Sequence, residues 1–193
     1  MLDEGVQIFK QLWTNGVATL DGEHYQVDGA QLSPLPPLQV DGPPPLWVAG
    51  GGEKKTLRIA AEHAQYTNFD GSLDGFARKS EVLRGHCEAI GRPFEEITRS
   101  ANYNVVIGET QADVDDKRVV EEHLSLTVPN KAAEVAEEFR RGGTLVGTPE
   151  QLVDKLTALE ALGMTYAITY FLDAAYDRSS IELFEREVVA ALR

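Results

Sequence analysis

The sequence is short of cysteine, of positive charge and of long apolar runs. One cysteine, Cys87, among 193 residues has no partner for an internal disulfide, and a Cys-rich zinc centre is excluded with it. Eighteen Lys and Arg stand against 31 Asp and Glu, a formal net charge of −13. That balance argues against a broad surface for a phosphate backbone, so no nucleic-acid partner is expected. No stretch approaches the ~18 apolar residues of a membrane span, and a basic-then-apolar signal segment is lacking at the N-terminus. The expectation is a soluble, cytoplasmic protein with no membrane partner. A hydrophobic share of 42% beside 25% charged residues is ordinary for a folded globular chain. The length suits one domain over residues 1–193.

What is present reads as a helix, a hairpin, a connector and then strand–helix units. Leu2, Val6, Phe9 and Trp13 recur at helical spacing over residues 2–13, and Asn15-Gly16 ends that helix. Residues 17–20 and 23–27 flank Asp21-Gly22, a strong hairpin signal. Residues 33–45 hold six of the nine prolines, which predicts an extended connector. Residues 46–50 (LWVAG) suit a short strand buried on both faces. A helix over 56–64 and a strand over 65–69 follow it. Leu73, Phe76, Leu83, Cys87 and Ile90 make a helical stripe, and residues 102–107 and 166–171 supply two more strands.

The best-defined helix is 149–162. Thr148 is a good N-cap, Pro149 takes the first position, Gln151 completes a capping box, and Gly163 stops the helix. A last helix covers about 180–192. Short strands alternating with helices imply a parallel sheet. Four such strands fall short of the eight of a closed barrel, so the α/β pattern reads as roughly the C-terminal half of an eight-stranded, TIM-barrel-like fold. An open doubly wound sheet is the competing architecture.

The segment Gly50, Gly51, Gly52, Glu53, Lys54, Lys55 and Thr56 carries the strongest functional signal. Three glycines between a strand and a helix let a ligand approach the backbone closely. The helix N-terminus adds partial positive charge, two lysines add full charge, and Thr56 offers a hydroxyl. These are the parts of a phosphate cradle, although neither the dinucleotide fingerprint nor the P-loop is matched. A glycine-rich turn with solvated lysines has the same composition.

Asn68 is the next polar candidate, with a loop-capping asparagine as its plain alternative. Strand ends of a barrel would also expose Phe69, Asp70, the 108–110 segment and Asp173. His24, His63, His86 and His123 lack helical metal spacing and read as structural, so no metal is expected. Cys87 and Met164, with Tyr166, Tyr170 and Phe171, read as core. The acidic run 109–122 reads as a solvated helix or loop.

The chain resembles the C-terminal part of the luciferase-like monooxygenase family, flavin- or deazaflavin-dependent oxidoreductases. The resemblance is carried by LDEGVQIFKQLWTNG with its hairpin at 2–28, PPPLWVAGGGEKKTLRIAAEHAQYTNF at 43–69, GTPEQLVDKLTALEALGMTYAITYF at 147–171 and the closing IELFEREVVAALR. It implies an eight-stranded barrel, a cofactor phosphate held at Gly50 to Thr56, and hydride transfer on a small-molecule substrate. The GGGEKKTLRIAAEHA wording is most similar to users of coenzyme F420, with FMN the alternative. No catalytic residue transfers, because the family's first four strands have no counterpart here. Half a barrel leaves open sheet edges, so the expected partner is a second copy, as a homodimer, or a separate N-terminal half. A catalytically inactive binding or structural remnant would carry the same sequence.

Overall fold

The computed structural model describes residues 1–34, 43–116, 144–175 and 177–193. Most of the proline-rich connector, the second half of the acidic run and His123 lie outside the described residues. The chain divides into two compact units, residues 1–67 with 82–97, and residues 68–81 with 98–193. Among the described residues no helix is long and apolar enough to cross a membrane.

In the first unit, α1 (Leu2–Asn15) ends where Gly16 takes φ 73° and its N–H reaches the Leu12 carbonyl, the left-handed closure that glycine permits. Strands β1 (Val17–Asp21) and β2 (Gln26–Gln31) pair antiparallel with Asp21 opposite Gln26. The second strand therefore starts later than the Asp-Gly signal implies. The cause lies on α1: Glu4 accepts the N–H groups of His24 and Tyr25, each at 2.9 Å, and holds the turn off the ladder.

Strand β3 (Trp47–Ala49), helix α2 (Thr56–His63) and strand β4 (Tyr66–Asn68) follow. In β3 only Val48 is buried, while Trp47 and Ala49 are exposed, so the strand expected to be covered on both faces is covered on one. Trp47 instead stacks on Tyr66, with centroids 4.6 Å apart. Thr67, fully buried, donates its hydroxyl to the Val48 carbonyl at 2.8 Å. Helix α3 (Leu73–Ile90) buries Phe76, Leu83 and Cys87, but Leu73 and Ile90 are exposed. The apolar stripe is thus core only in its middle.

In the second unit β5 (Thr98–Ile107) is the organising strand. Its residues 100–104 lie in parallel register with β7 (Tyr166–Tyr170), and its residues 104–107 with β6 (Thr144–Gly147). The parallel sheet is the one expected, and β6 is an addition to it. Helix α4 (Pro149–Ala161) begins with the Thr148–Gln151 capping box and buries Leu152, Leu156 and Leu159. Gly163 follows it at φ 86°. Helix α5 (Ser179–Leu183) continues into a π-helical turn over Phe184–Val189 that buries Phe184 and Val188.

Candidate functional site

The glycine loop is built as a close-approach surface. Gly50 has φ 122°, a backbone region that side-chain-bearing residues rarely adopt. A Cβ on Gly52 would lie 2.7 Å from the Thr56 hydroxyl oxygen, so a side chain there would displace the one hydroxyl of the loop. Residues 50–55 are exposed and Thr56 is half-buried at the start of α2. Lys55 stands at the N-cap without a side-chain capping bond, so no side chain fills the positive end of α2. Lys54 and Lys55 form no ion pair among the described residues. The loop is shaped from within by the Leu57 N–H, which donates to the Gly52 carbonyl at 3.0 Å.

A residue that sequence reading assigned to scaffolding also holds this loop. His86, half-buried on α3, donates from Nε2 to the Glu53 carbonyl at 2.7 Å. Glu53 thus shapes the loop through its backbone. The contact spans 33 positions of chain, and no local pattern announces it.

Asn68 closes β4 and belongs to the second unit. Its amide nitrogen donates to Ser100 Oγ at 3.0 Å and to Asn102 Oδ1 at 2.9 Å. It is therefore joined to the side chains of β5 and does not cap a loop. Phe69 is buried and packs on Phe76 with centroids 5.1 Å apart, which corrects its expected place at an exposed edge. Gly108 is buried as well. Asp173 accepts the Ser180 hydroxyl. Met164 is core as expected, but Tyr166 and Tyr170 are 47% and 49% exposed, a correction to their reading as core. Alternation along a strand separates its faces without saying which of them is covered.

The fold brings Asp3, Glu62 and His63 together, a group that sequence spacing missed because Asp3 lies 60 residues from His63. Arg58 pairs with both carboxylates, at 2.5 Å from Glu62 and 3.7 Å from Asp3. His63 Nε2 lies 3.1 Å from Asp3, and Lys10 Nζ is 3.4 Å from His63 Nδ1. With two cations already engaged, the cluster is an ion network tying α1 to α2. Cys87 is fully buried, and burial pushes its thiol up, so thiolate chemistry is disfavoured there. Tyr103, also fully buried, donates to the Gly71 carbonyl at 3.1 Å, and burial raises its phenol far above the ordinary range. It is a neutral structural hydroxyl.

Parallel strands joined by helices, with a glycine loop between β3 and α2, define the chain as an α/β protein of the TIM-barrel class, built as part of such a barrel. Over residues 1–166 it matches the luciferase-like monooxygenase family, and it belongs to that family. A pyrimidine monooxygenase, RutA, from Allorhizobium ampelinum is 38% identical over 69 residues, 36% of this chain and 17% of that protein. An FMNH(2)-dependent dimethylsulfone monooxygenase from Pseudomonas putida is 20% identical across 99% of this chain and 57% of its own length. Among solved structures, a coenzyme F420-dependent tetrahydromethanopterin reductase from Methanopyrus kandleri superposes with a TM-score of 0.77 at 16% identity. That alignment covers 100% of this chain and 63% of the reductase. The chain thus spans about three fifths of the proteins it matches from end to end.

Proposed function

We propose that this chain is the cofactor-phosphate-binding part of a flavin- or F420-dependent oxidoreductase, with coenzyme F420 as its cofactor and FMN as the alternative. The observation that carries the reading is the exposed loop at Gly50 to Thr56, whose helix start no side chain caps. Backbone N–H groups beside three glycines, the ammonium groups of Lys54 and Lys55 and the Thr56 hydroxyl together suit a phosphate dianion. His86 holds the Glu53 carbonyl, so the loop keeps its shape before a ligand arrives. When bound, the cofactor supplies hydride transfer to or from a small substrate; the protein orients and retains it. Relatives of both cofactor types support the reading.

The reading includes a partner chain, a second copy of this one or a separate N-terminal half. Trp47, 37% exposed on a strand that is buried at one position only, supports it, since exposed strand faces invite covering.

Equilibrium dialysis of the chain against F420 and FMN, with its mass recorded in the same buffer, tests both parts. Binding of one cofactor and a mass above that of the monomer are expected. Gly51→Asp places a carboxylate in the cradle and should weaken binding by more than fivefold, about 1 kcal/mol. Unchanged binding by a folded Gly51→Asp chain would move the phosphate site elsewhere, and a stable monomer would remove the partner.

A further inference from the structure

The glycine loop has little of its own to hold its shape. Three successive glycines make the backbone of residues 50–52 easy to rotate, yet the peptide planes that follow are fixed from inside the protein. The Gly52 carbonyl accepts the Leu57 N–H and the Lys55 carbonyl accepts the Ile59 N–H, each at 3.0 Å. Between them, the Glu53 carbonyl accepts a hydrogen bond from His86 Nε2 at 2.7 Å. A carbonyl only accepts, so the imidazole carries a proton on Nε2. Loop and imidazole belong to the same compact unit. Leu83 and Cys87, on either side of His86 along α3, are fully buried, so the turn of helix that carries the ring is held in place.

We propose that His86 is a positioning residue for the anion loop: by drawing the Glu53 carbonyl towards α3, it turns the Lys54 N–H out to the phosphate. The inference rests on the proposed phosphate site at Gly50 to Thr56. The Glu53–Lys54 peptide is trans, and in a trans peptide the C=O and N–H point to opposite sides. A carbonyl held on the α3 side therefore directs the Lys54 N–H away from α3. That N–H makes no hydrogen bond among the described residues, and Lys54 is exposed. It stands as an open donor beside the Lys54 and Lys55 ammonium groups, the kind of backbone donor from which an anion-binding nest is made. Without the imidazole the same peptide plane is able to turn over and aim its carbonyl oxygen at the anion, which replaces attraction with repulsion. His86 acts through this one peptide and touches no ligand itself.

The experiment titrates the whole chain with FMN and with coenzyme F420, using riboflavin and the phosphate-free deazaflavin as controls. His86→Leu should weaken whichever cofactor binds by about tenfold, the worth of one hydrogen bond to a charged group, and leave its phosphate-free control where it was. His86→Gln, whose amide reaches out with a donor of its own, should restore most of that loss, which a purely apolar packing role would not require. In the wild-type chain, proton–nitrogen NMR should show the Lys54 amide moving downfield with the cofactor and not with its control. That readout stands even where His86→Leu does not fold. Equal affinity in a folded His86→Leu chain, no recovery in His86→Gln, or a Lys54 amide indifferent to the bound phosphate overturns the proposal. Gly51→Asp keeps the two claims apart. Affinity that falls in Gly51→Asp but not in His86→Leu leaves the phosphate site standing and discards the role of His86. No binding of either cofactor, or equal binding by Gly51→Asp, removes the site and this inference with it.

Discussion

Helices α2 and α4 end alike and begin differently. At their C-termini each has an arginine on its last carbonyls: Arg92 donates to the Ala61 and Ala64 carbonyls at 2.7 Å, and Arg99 donates to the Leu162 carbonyl at 3.0 Å. A cation there satisfies orphan carbonyls and complements the helix dipole. At its N-terminus α4 is closed by its own sequence, with Gln151 Oε1 accepting the Thr148 N–H at 3.0 Å and Pro149 in the first turn. Helix α2 begins with Lys55, which makes no capping bond, behind three glycines. A helix start sealed by side chains has no room for an anion; one left open beside lysines does. The contrast therefore supports the proposed phosphate site without appeal to any relative.

The largest test strikes the shared feature. Arg92→Met should lower stability by about 2 kcal/mol, because hydrogen bonds to a charged group are worth ~1.5–3 kcal/mol and Arg92 serves the carbonyls of two buried alanines; Arg99→Met should cost less, since Leu162 is exposed. Urea midpoints measure this, and both variants should keep their affinity for FMN in proportion to the folded fraction. A binding defect confined to Arg92→Met would show that closing the far end of α2 also shapes its opening.

A smaller effect is expected where the helices differ. Thr148→Ala removes half of the capping box of α4 and should cost about 1 kcal/mol, again with FMN binding unchanged. Set beside Gly51→Asp, which should reduce binding at little cost in stability, it gives a crossed pattern of losses. If Thr148→Ala weakened FMN binding as strongly as Gly51→Asp does, the distinction between a sealed and an open helix start would fall.

The same contrast explains how much the sequence disclosed. Helix α4 was legible because Thr148, Pro149, Gln151 and Gly163 act within one or two turns of their own helix. The glycine loop was legible for the same reason, as was the alternation of strands and helices that placed the chain in a barrel class. Strand β6 was not: TLVG is four residues long, and its support is a register with β5 some forty positions earlier. The tie from His86 to the loop, the junction of Asn68 with Ser100 and Asn102, and the meeting of Asp3 with His63 are all contacts between distant segments. Periodicity reports the face on which a residue sits, and only the fold decides what meets that face. The exposure of Tyr166 and Tyr170 is the plainest case.

A third helix start refines the comparison with the smallest effect. Glu4 lies in the first turn of α1, where a carboxylate suits the positive end of a helix. It is spent on another element, accepting the His24 and Tyr25 N–H groups of the β1–β2 turn. The His24 backbone bond, joined by that of Tyr25, holds the carboxyl below its ordinary 4.5. A carboxylate with a lowered folded-state pKa lends stability above its unfolded value, and that stability is lost as pH falls through the folded one. Hydrogen-exchange protection of the His24 and Tyr25 amides should therefore be full at neutral pH and fade below about pH 4.5, the value at which the unfolded carboxyl takes its proton. Glu4→Gln should remove this pH dependence and lower protection at neutral pH, while the amides of α4 stay protected throughout. Protection at His24 and Tyr25 that is indifferent to both acid and Glu4→Gln would mean that the Asp-Gly signal suffices to form the turn, and that α1 only lies beside it.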